Sequence, residues 1–312
     1  MNSSIEKKIY LARSIGNVEP IEYMVPYPNT IALLEGQNIK YSKQLLYEKP
    51  EITNIDFFNL VQQTANWLES INIHPKEEVA LPDLGSPQSE ILLYGIWHLG
   101  AVAILSKSKK IDKKIFTRLH IIEPDIDLFD IIHPFPKKFI PRYKALLDDE
   151  ALINYTDNSN IRLSHYNLLV NTNGLKKLLK INRGVRIACD LEPLDSSWTV
   201  FKVLLPLYCG AIYSDSNPDI TISSKDTTAT YFLRKDIDKY GNLKNNHIGI
   251  CLENTAVLCL GNEPIHLTEI EKENGFLKLN GHSVMMGYTD NLINERAFKK
   301  KGLWVKLNNI NH

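Results

Sequence analysis

The stretch Tyr155–His165, Tyr-Thr-Asp-Asn-Ser-Asn-Ile-Arg-Leu-Ser-His, follows an apolar run at Ala151–Asn154 and opens an amphipathic segment at Ser164. Its polar residues could hold an anion: Tyr155, Thr156, Ser159, Asn160, Arg162 and Ser164 offer hydroxyl, amide and guanidinium donors. A loop joining a strand to a helix is where α/β proteins commonly bind phosphate, because helix N-terminal amides carry partial positive charge. Such loops are rich in Gly, so that the backbone can approach the phosphates, and often supply a Lys. This one contains neither, and Asp157 places a negative charge where phosphate would sit. At several Å one like charge costs about 1 kcal/mol or more outside bulk water. The stretch has the position of a phosphate cradle without its chemistry.

Other reactive groupings read as structure. His165 follows the N-cap and could act as a general base, whereas His98 beside Trp97 on an apolar helix reads as a core or boundary histidine. Asp195-Ser196-Ser197 lacks a Gly-x-Ser-x-Gly elbow and reads as helix capping rather than a hydrolase nucleophile. Met285-Met286 beside Val284 could line an exposed binding surface, and Lys299-Lys300-Lys301 reads as a solvated turn. No His/Cys/Asp/Glu grouping has metal-site spacing, so no metal is expected. Cys189, Cys209, Cys251 and Cys259 show no Cys-x-x-Cys spacing and read as reduced core residues.

The elements that must position these residues follow from composition and period. The chain has 312 residues, 44% apolar and 23% charged, with 36 basic residues against 36 acidic. That balance favours neither nucleic acid nor an anionic membrane. Met1–Tyr10 has no apolar signal core, and the longest apolar run, Ile91–Leu105, contains His98 and falls short of a bilayer span, so a cytoplasmic protein is expected. Thr30–Leu34 reads as a short strand. Phe57, Leu60, Val61, Ala65 and Leu68 set a helix over 56–70. Strand 78–81, helix 86–99 ending at Gly100, and strand 101–105 make a βαβ unit and imply a parallel sheet. The lysines at 107, 109, 110, 113 and 114 read as a solvated helix start, and four prolines between 121 and 146 as a surface linker. A second α/β unit runs from Ala151: helix from Ser164, strand 185–191, helix 197–208 capped by Gly210, strand 211–214 and strand 228–233. From Ile248 the period changes to short strands. The chain thus divides into a first α/β subdomain at 1–150, a shortened second one at 151–245, and a small β-rich subdomain at 246–312.

Several segments together resemble the adenylate-forming ligases, the group of acyl-CoA synthetases, non-ribosomal adenylation domains and luciferases. Val79–Leu105 is similar to their second βαβ unit, and Asp149–Leu169 to their signature loop, which Tyr155-Thr156 opens and Ser164-His165 with Asn167-Leu168 closes. Leu204–Ala211 resembles their Leu-Pro-Leu…Gly-Ala. Gly275–Tyr288 is similar to their Gly-Glu-Ile…Gly-x-x-Val-Met-x-Gly-Tyr segment, and Gly302–Asn309 lies where they have Gly-Trp-x-x-Thr-Gly-Asp. Matches in shared order cover about residues 80–305. The resemblance implies the large N-terminal domain of those enzymes: parallel-sheet layers with helices on both faces plus a small β-rich subdomain.

Against that resemblance the departures are chemical. The family's signature loop is longer and carries glycines and a Lys, whereas Asp157–Leu163 alone separates Thr156 from Ser164. The family's acyl-pocket wall and its Tyr-Gly-x-Thr-Glu motif, whose Glu holds magnesium, fall in an interval that here is only Ile212–His247; Tyr240-Gly241 continues as Asn242-Leu243-Lys244. The ribose-binding Asp aligns with Asn309. The mobile C-terminal ligase domain, with its transition-state Lys, has no counterpart before His312. Loss of these groups removes the electrostatic source of acceleration in adenylyl transfer. The expectation is a pseudoenzyme with no catalytic residue and no cofactor, ATP, magnesium and CoA included, keeping Tyr155, Thr156, Ser159, Asn160, Arg162, Ser164 and Asn309 as vestigial nucleotide positions. It would be an accessory, stabilising or regulatory protein for a partner enzyme in an acyl- or carrier-protein-dependent pathway. The shortened interval should leave apolar surface for that partner to cover. The alternative expectation is a remodelled binder of an acyl or aryl acid or a CoA-type ligand, or a ligase completed by a separate domain.

Overall fold

A computed structural model describes residues 5–23, 25–108, 111–116, 118–156, 159–299 and 301–307. In the six-stranded sheet the order is Gly287–Tyr288, Asn160–Ser164, Glu150–Tyr155, Val102–Ser106, Glu78–Ala80, Leu119–Ile121. The four strands from Glu150–Tyr155 outward are mutually parallel, and the other two pair antiparallel at the opposite edge. Helix Gln88–Leu99 connects two of the parallel strands and is buried on all sides from Ser89 onward. It ends at Gly100, whose φ of +83° is the left-handed conformation that glycine adopts at least cost. Helix Asn54–Ser70 opens with a capping box in which Thr53 and Asp56 bond reciprocally. A Cβ on Gly95 would lie 2.4 Å from Thr64 Cγ2, so glycine there lets these two helices approach closely.

Polar residues of helix Asn54–Ser70 hold the proline-rich segment down. Gln63 donates to the carbonyls of Ile132, His133 and Phe135, Asn66 to those of Pro136 and Lys138, and Gln62 accepts from Phe139 N–H. The linker expected at 121–146 is therefore a tied strap, with one short helix at Leu128–Ile132. Thr30–Leu34 is not a strand. Asn29 accepts from Ala32 N–H and starts helix Thr30–Tyr41, which buries Ile31, Leu33, Leu34 and Gln37 at helical rather than alternating spacing.

The nine-stranded sheet runs Glu263–Pro264, Val257–Leu260, His247–Ile250, Tyr231–Arg234, Ile220–Ser223, Arg186–Cys189, Ile212–Tyr213, Leu45–Tyr47, Ile52–Thr53. The strands from His247–Ile250 to Leu45–Tyr47 pair in parallel. Parallel strands usually need a helical crossover of a dozen residues or more. Here Ser224–Thr230 makes one crossover and Lys235–Asn246 the next, with no α-helix in either. One sheet face therefore lacks its helical layer, and the sequence has adapted to that. Thr221, Arg234 and His247 are half-buried on it, the guanidinium of Arg234 lies 5.7 Å over the Phe232 ring, and Phe232 is 9% exposed. Among the described residues no large apolar side chain between 212 and 247 is exposed. The interval's own side chains therefore present a largely polar or half-buried surface.

The third sheet is antiparallel, in the order Thr268–Glu273, Phe276–Gly281, Gly302–Lys306, Phe298–Lys299. Helix His165–Leu179 fastens the chain's later segments through two asparagines one turn apart. Asn167 donates to the carbonyls of His282 and Val284; Asn171 donates to those of Asn254 and Val257 and accepts from Val257 N–H. All four cysteines are buried and unpaired. No helix among the described residues is long and apolar enough to cross a membrane.

Candidate functional site

Tyr155–His165 is not a strand-to-helix loop. Strand Glu150–Tyr155 turns back on itself as strand Asn160–Ser164, with Tyr155 opposite Asn160 and Glu150 opposite Ser164. The helix begins only after this return strand, with Ser164 accepting from Asn167 N–H in a capping box. Its N-terminal amides thus stand about 17 Å from the hairpin tip, five residues of strand away. The helix dipole that motivates phosphate binding points into the wrong end of the hairpin.

Among the described residues, the backbone donors of Thr156 and Ser159 are engaged. Thr156 N–H donates to Asn160 Oδ1 at 3.2 Å, and Ser159 N–H to Thr156 Oγ1 at 3.0 Å, while the Thr156 hydroxyl donates to Ser159 C=O at 2.5 Å. The Asn160 amide donates to Thr289 Oγ1. Arg162 grips Glu150 through two bonds of 2.8 and 3.0 Å, which raises the guanidinium pKa, and it lines a separate depression beside Arg13. Tyr155 is buried, its hydroxyl accepting from Asp112 N–H at 3.0 Å. Of the six hairpin candidates only Ser159 reaches the large cleft; Asn309, like Asp157, lies outside the described residues.

That cleft, of about 620 Å³, opens at the carboxyl ends of strands from both large sheets, where α/β folds usually place ligands. Sequence reading missed most of its lining. Lys107 follows strand Val102–Ser106, Lys235 follows Tyr231–Arg234, and Glu253 follows His247–Ile250, a shared placement that the sequence shows only once the strands are known to be parallel. Asp195 Oδ1 accepts from Ser197 N–H as a cap, while Oδ2 receives Lys107 Nζ at 2.8 Å and Lys235 Nζ at 3.7 Å. Burial alone would raise the Asp195 pKa; the Lys107 charge and hydrogen bond outweigh it and lower it. Lys306, Trp304 and Tyr288 complete the wall, and Tyr288 OH lies 3.3 Å from Glu253 Oε1.

The groups that ATP and magnesium would need do not fit this arrangement. The amides of Thr156 and Ser159 bond inside the hairpin, and Asp195 engages two of the cleft's lysines. No group of three or more His, Cys, Asp or Glu among the described residues could hold a metal ion. His165, Ser196 and Met285 have structural roles. His165 is buried with Nδ1 2.9 Å from Thr30 Oγ1, and burial lowers its pKa to about 4; Ser196 is bonded to Asn154, and Met285 is fully buried.

No protein-family model and no curated protein matches the chain. Solved structures do. The anthranilate CoA ligase AuaEII, in complex with anthranoyl-AMP, superposes with a TM-score of 0.69 at 15% identity, covering 90% of this chain and 74% of that one. NpsA-ThdA from Klebsiella oxytoca, an artificially fused adenylation-PCP di-domain, gives 0.69 at 12% identity over 91% and 68%. The N-terminal domain of FACL13 from Mycobacterium tuberculosis gives 0.67 at 13% identity, over 89% of this chain and 95% of that domain. The chain has the fold of the adenylate-forming ligases, in the form of their N-terminal domain.

Proposed function

We propose that this chain keeps the adenylate-forming fold without adenylyl transfer, and serves as an accessory, stabilising or regulatory protein for a partner enzyme in an acyl- or carrier-protein-dependent pathway. The observation that carries the first half is the inward turning of the hairpin's donors. Thr156 and Ser159 spend their amides on side chains of the same hairpin, so an entering phosphate would have to break those bonds before forming its own. The second half draws support from exposed aliphatic side chains away from the cleft, among them Ile39 at 83% and Ile140 at 75% exposure. It draws support also from the likeness of the fold to McyG A-PCP, an adenylation domain solved with a PCP. The test is ATP–pyrophosphate exchange with a panel of acyl and aryl acids. No exchange above the protein-free rate is expected; exchange that saturates with any acid would overturn the proposal.

A second reading rests on the cleft itself. With Lys107 and Lys235 engaged by Asp195, Lys306 beside Trp304, Tyr288 and Ile250 suits one anionic group on an apolar body, such as an acyl or aryl acid. Saturable calorimetric binding of such an acid in the absence of any nucleotide would favour this reading over the accessory one.

A further inference from the structure

Asp195 stands in the large cleft as an anion already seated there. Its side chain is 7% exposed, and Oδ1 accepts from Ser197 N–H at 3.0 Å, so the start of its own helix fixes the carboxylate independently of any lysine. The lysines come to it from two different sheets. Lys107 follows strand Val102–Ser106 of the six-stranded sheet, Lys235 follows Tyr231–Arg234 of the nine-stranded one, and both ammonium groups converge on Oδ2. The lysine side chains are 42% and 55% exposed, so a solute in the cleft can reach them. Two ammonium groups meeting at one oxygen make an anion position, because cations this close repel unless a negative charge lies between them. Here the oxygen is the protein's own. Capping does not require that charge, since Ser or Asn at this position would close the helix end as well.

The charges of the lining set what else can enter. The Lys107 charge holds the Asp195 carboxyl below the usual carboxylate range despite its burial, so the group is ionised at neutral pH. The second lining carboxylate, Glu253, accepts from the Tyr288 hydroxyl at 3.3 Å and the Cys251 thiol at 3.4 Å. Among the described lining residues three lysines are set against these two carboxylates, which leaves one positive charge. We propose that Asp195 is the specificity-determining residue of the cleft: it fills the two-lysine position as a built-in anion, so that phosphate and other multiply charged anions are refused while one anionic group is accepted at Lys306. The inference rests on the reading of the cleft as a site for an acyl or aryl acid. A phosphate entering beside Lys107 and Lys235 would have to displace a buried, capped carboxylate or share both cations with it at like-charge distance, and either is costly.

The test is calorimetric titration of the full chain with inorganic pyrophosphate and, separately, with benzoate, on the unmodified protein and on Asp195→Asn. Asparagine keeps an acceptor for Ser197 N–H and removes the charge. Pyrophosphate should give no saturable heat with the unmodified chain and saturable heat with the variant, a gain of about tenfold or more, and adding Lys107→Gln should reverse it. Asp195→Ser, a second uncharged cap, should repeat the gain. Benzoate affinity should differ by less than about threefold between the unmodified protein and Asp195→Asn, because Lys306 takes its single charge. Saturable pyrophosphate binding to the unmodified chain, no gain in either uncharged variant with its near-UV circular dichroism intact, or an equal gain for benzoate would overturn the proposal. A pyrophosphate gain with no benzoate binding to either protein would sink the acid reading of the cleft and leave the role of Asp195 standing.

Discussion

Glu90→Gln is expected to stabilise the protein by about 3 kcal/mol at pH 8 and to change its stability little at pH 4.5. Glu90 is 1% exposed, neither carboxylate oxygen makes a hydrogen bond of good geometry, and a weaker contact with the Ser86 side chain favours the charged form. Burial disfavours the charged form and raises its pKa from 4.5 to about 7, although the Lys202 charge pulls the other way. Between those two values the native state holds a proton that the unfolded chain has lost, so stability falls as pH rises through this window. Above about pH 7 both states are ionised and the whole penalty is present. A shift of this size corresponds to about 3 kcal/mol, at 1.36 kcal/mol per pH unit. Glutamine keeps the shape and never ionises. Urea unfolding of both proteins at pH 4.5 and pH 8 measures the effect; a Gln variant that is no more stable at pH 8 would show that Glu90 is solvated or paired in solution.

Acid should act on two histidines in the opposite sense. His98 and His165 are both buried, and burial lowers each pKa from 6.5 to about 4. Here the unfolded chain binds the proton first, so stability is complete above about pH 6.5 and is lost as pH falls towards 4. Each histidine contributes on the order of 3 kcal/mol across that window, so together they outweigh the gain from protonating Glu90. The protein should therefore be most stable near neutral pH and unfold in mild acid. His98→Phe should remove most of the net loss between pH 6.5 and 4, because the gain from protonating Glu90 then roughly offsets the loss at His165. An unchanged pH profile in that variant would mean that His98 titrates normally in the folded protein.

Most of the architecture is legible in the sequence because period and punctuation agree there. The helix over 54–70, the βαβ unit that follows it and the Ser164-capped helix each combine a 3.6-residue apolar period with a cap or a terminal glycine. Thr30–Leu34 misleads because Ile31, Leu33 and Leu34 taken alone give too short an apolar run to show a period; the deciding residue is Asn29, one position earlier. The signature hairpin misleads for a different reason. Asn160–Ser164 is short and mixed, and nothing in it announces that the chain reverses between Tyr155 and Asn160 before the helix begins. Tyr155, Thr156, Ser159, Asn160, Arg162 and Ser164 share this one hairpin, but hydrogen-bond partners such as Thr289 and Glu150 come from chain reversal and from distant segments. The cleft was the least legible part. Lys107, Asp195, Lys235 and Glu253 are separated by up to 146 residues and share no motif; only the parallel register of the strands brings them to one edge. The polar sheet face over Phe232 was equally hidden, because Thr221, Arg234 and His247 read singly as ordinary surface residues.

On the proposed reading, a fold shared with the adenylate-forming ligases here lacks a working phosphate site. Calorimetric titration of the full chain with ATP and magnesium tests it most directly. No saturable heat is predicted, because the amides of Thr156 and Ser159 and the lysines at 107 and 235 already have partners within the protein. Stoichiometric, saturable binding of ATP, weakened by substitution of Lys107 or Lys235, would contradict the account and return the cleft to nucleotide chemistry.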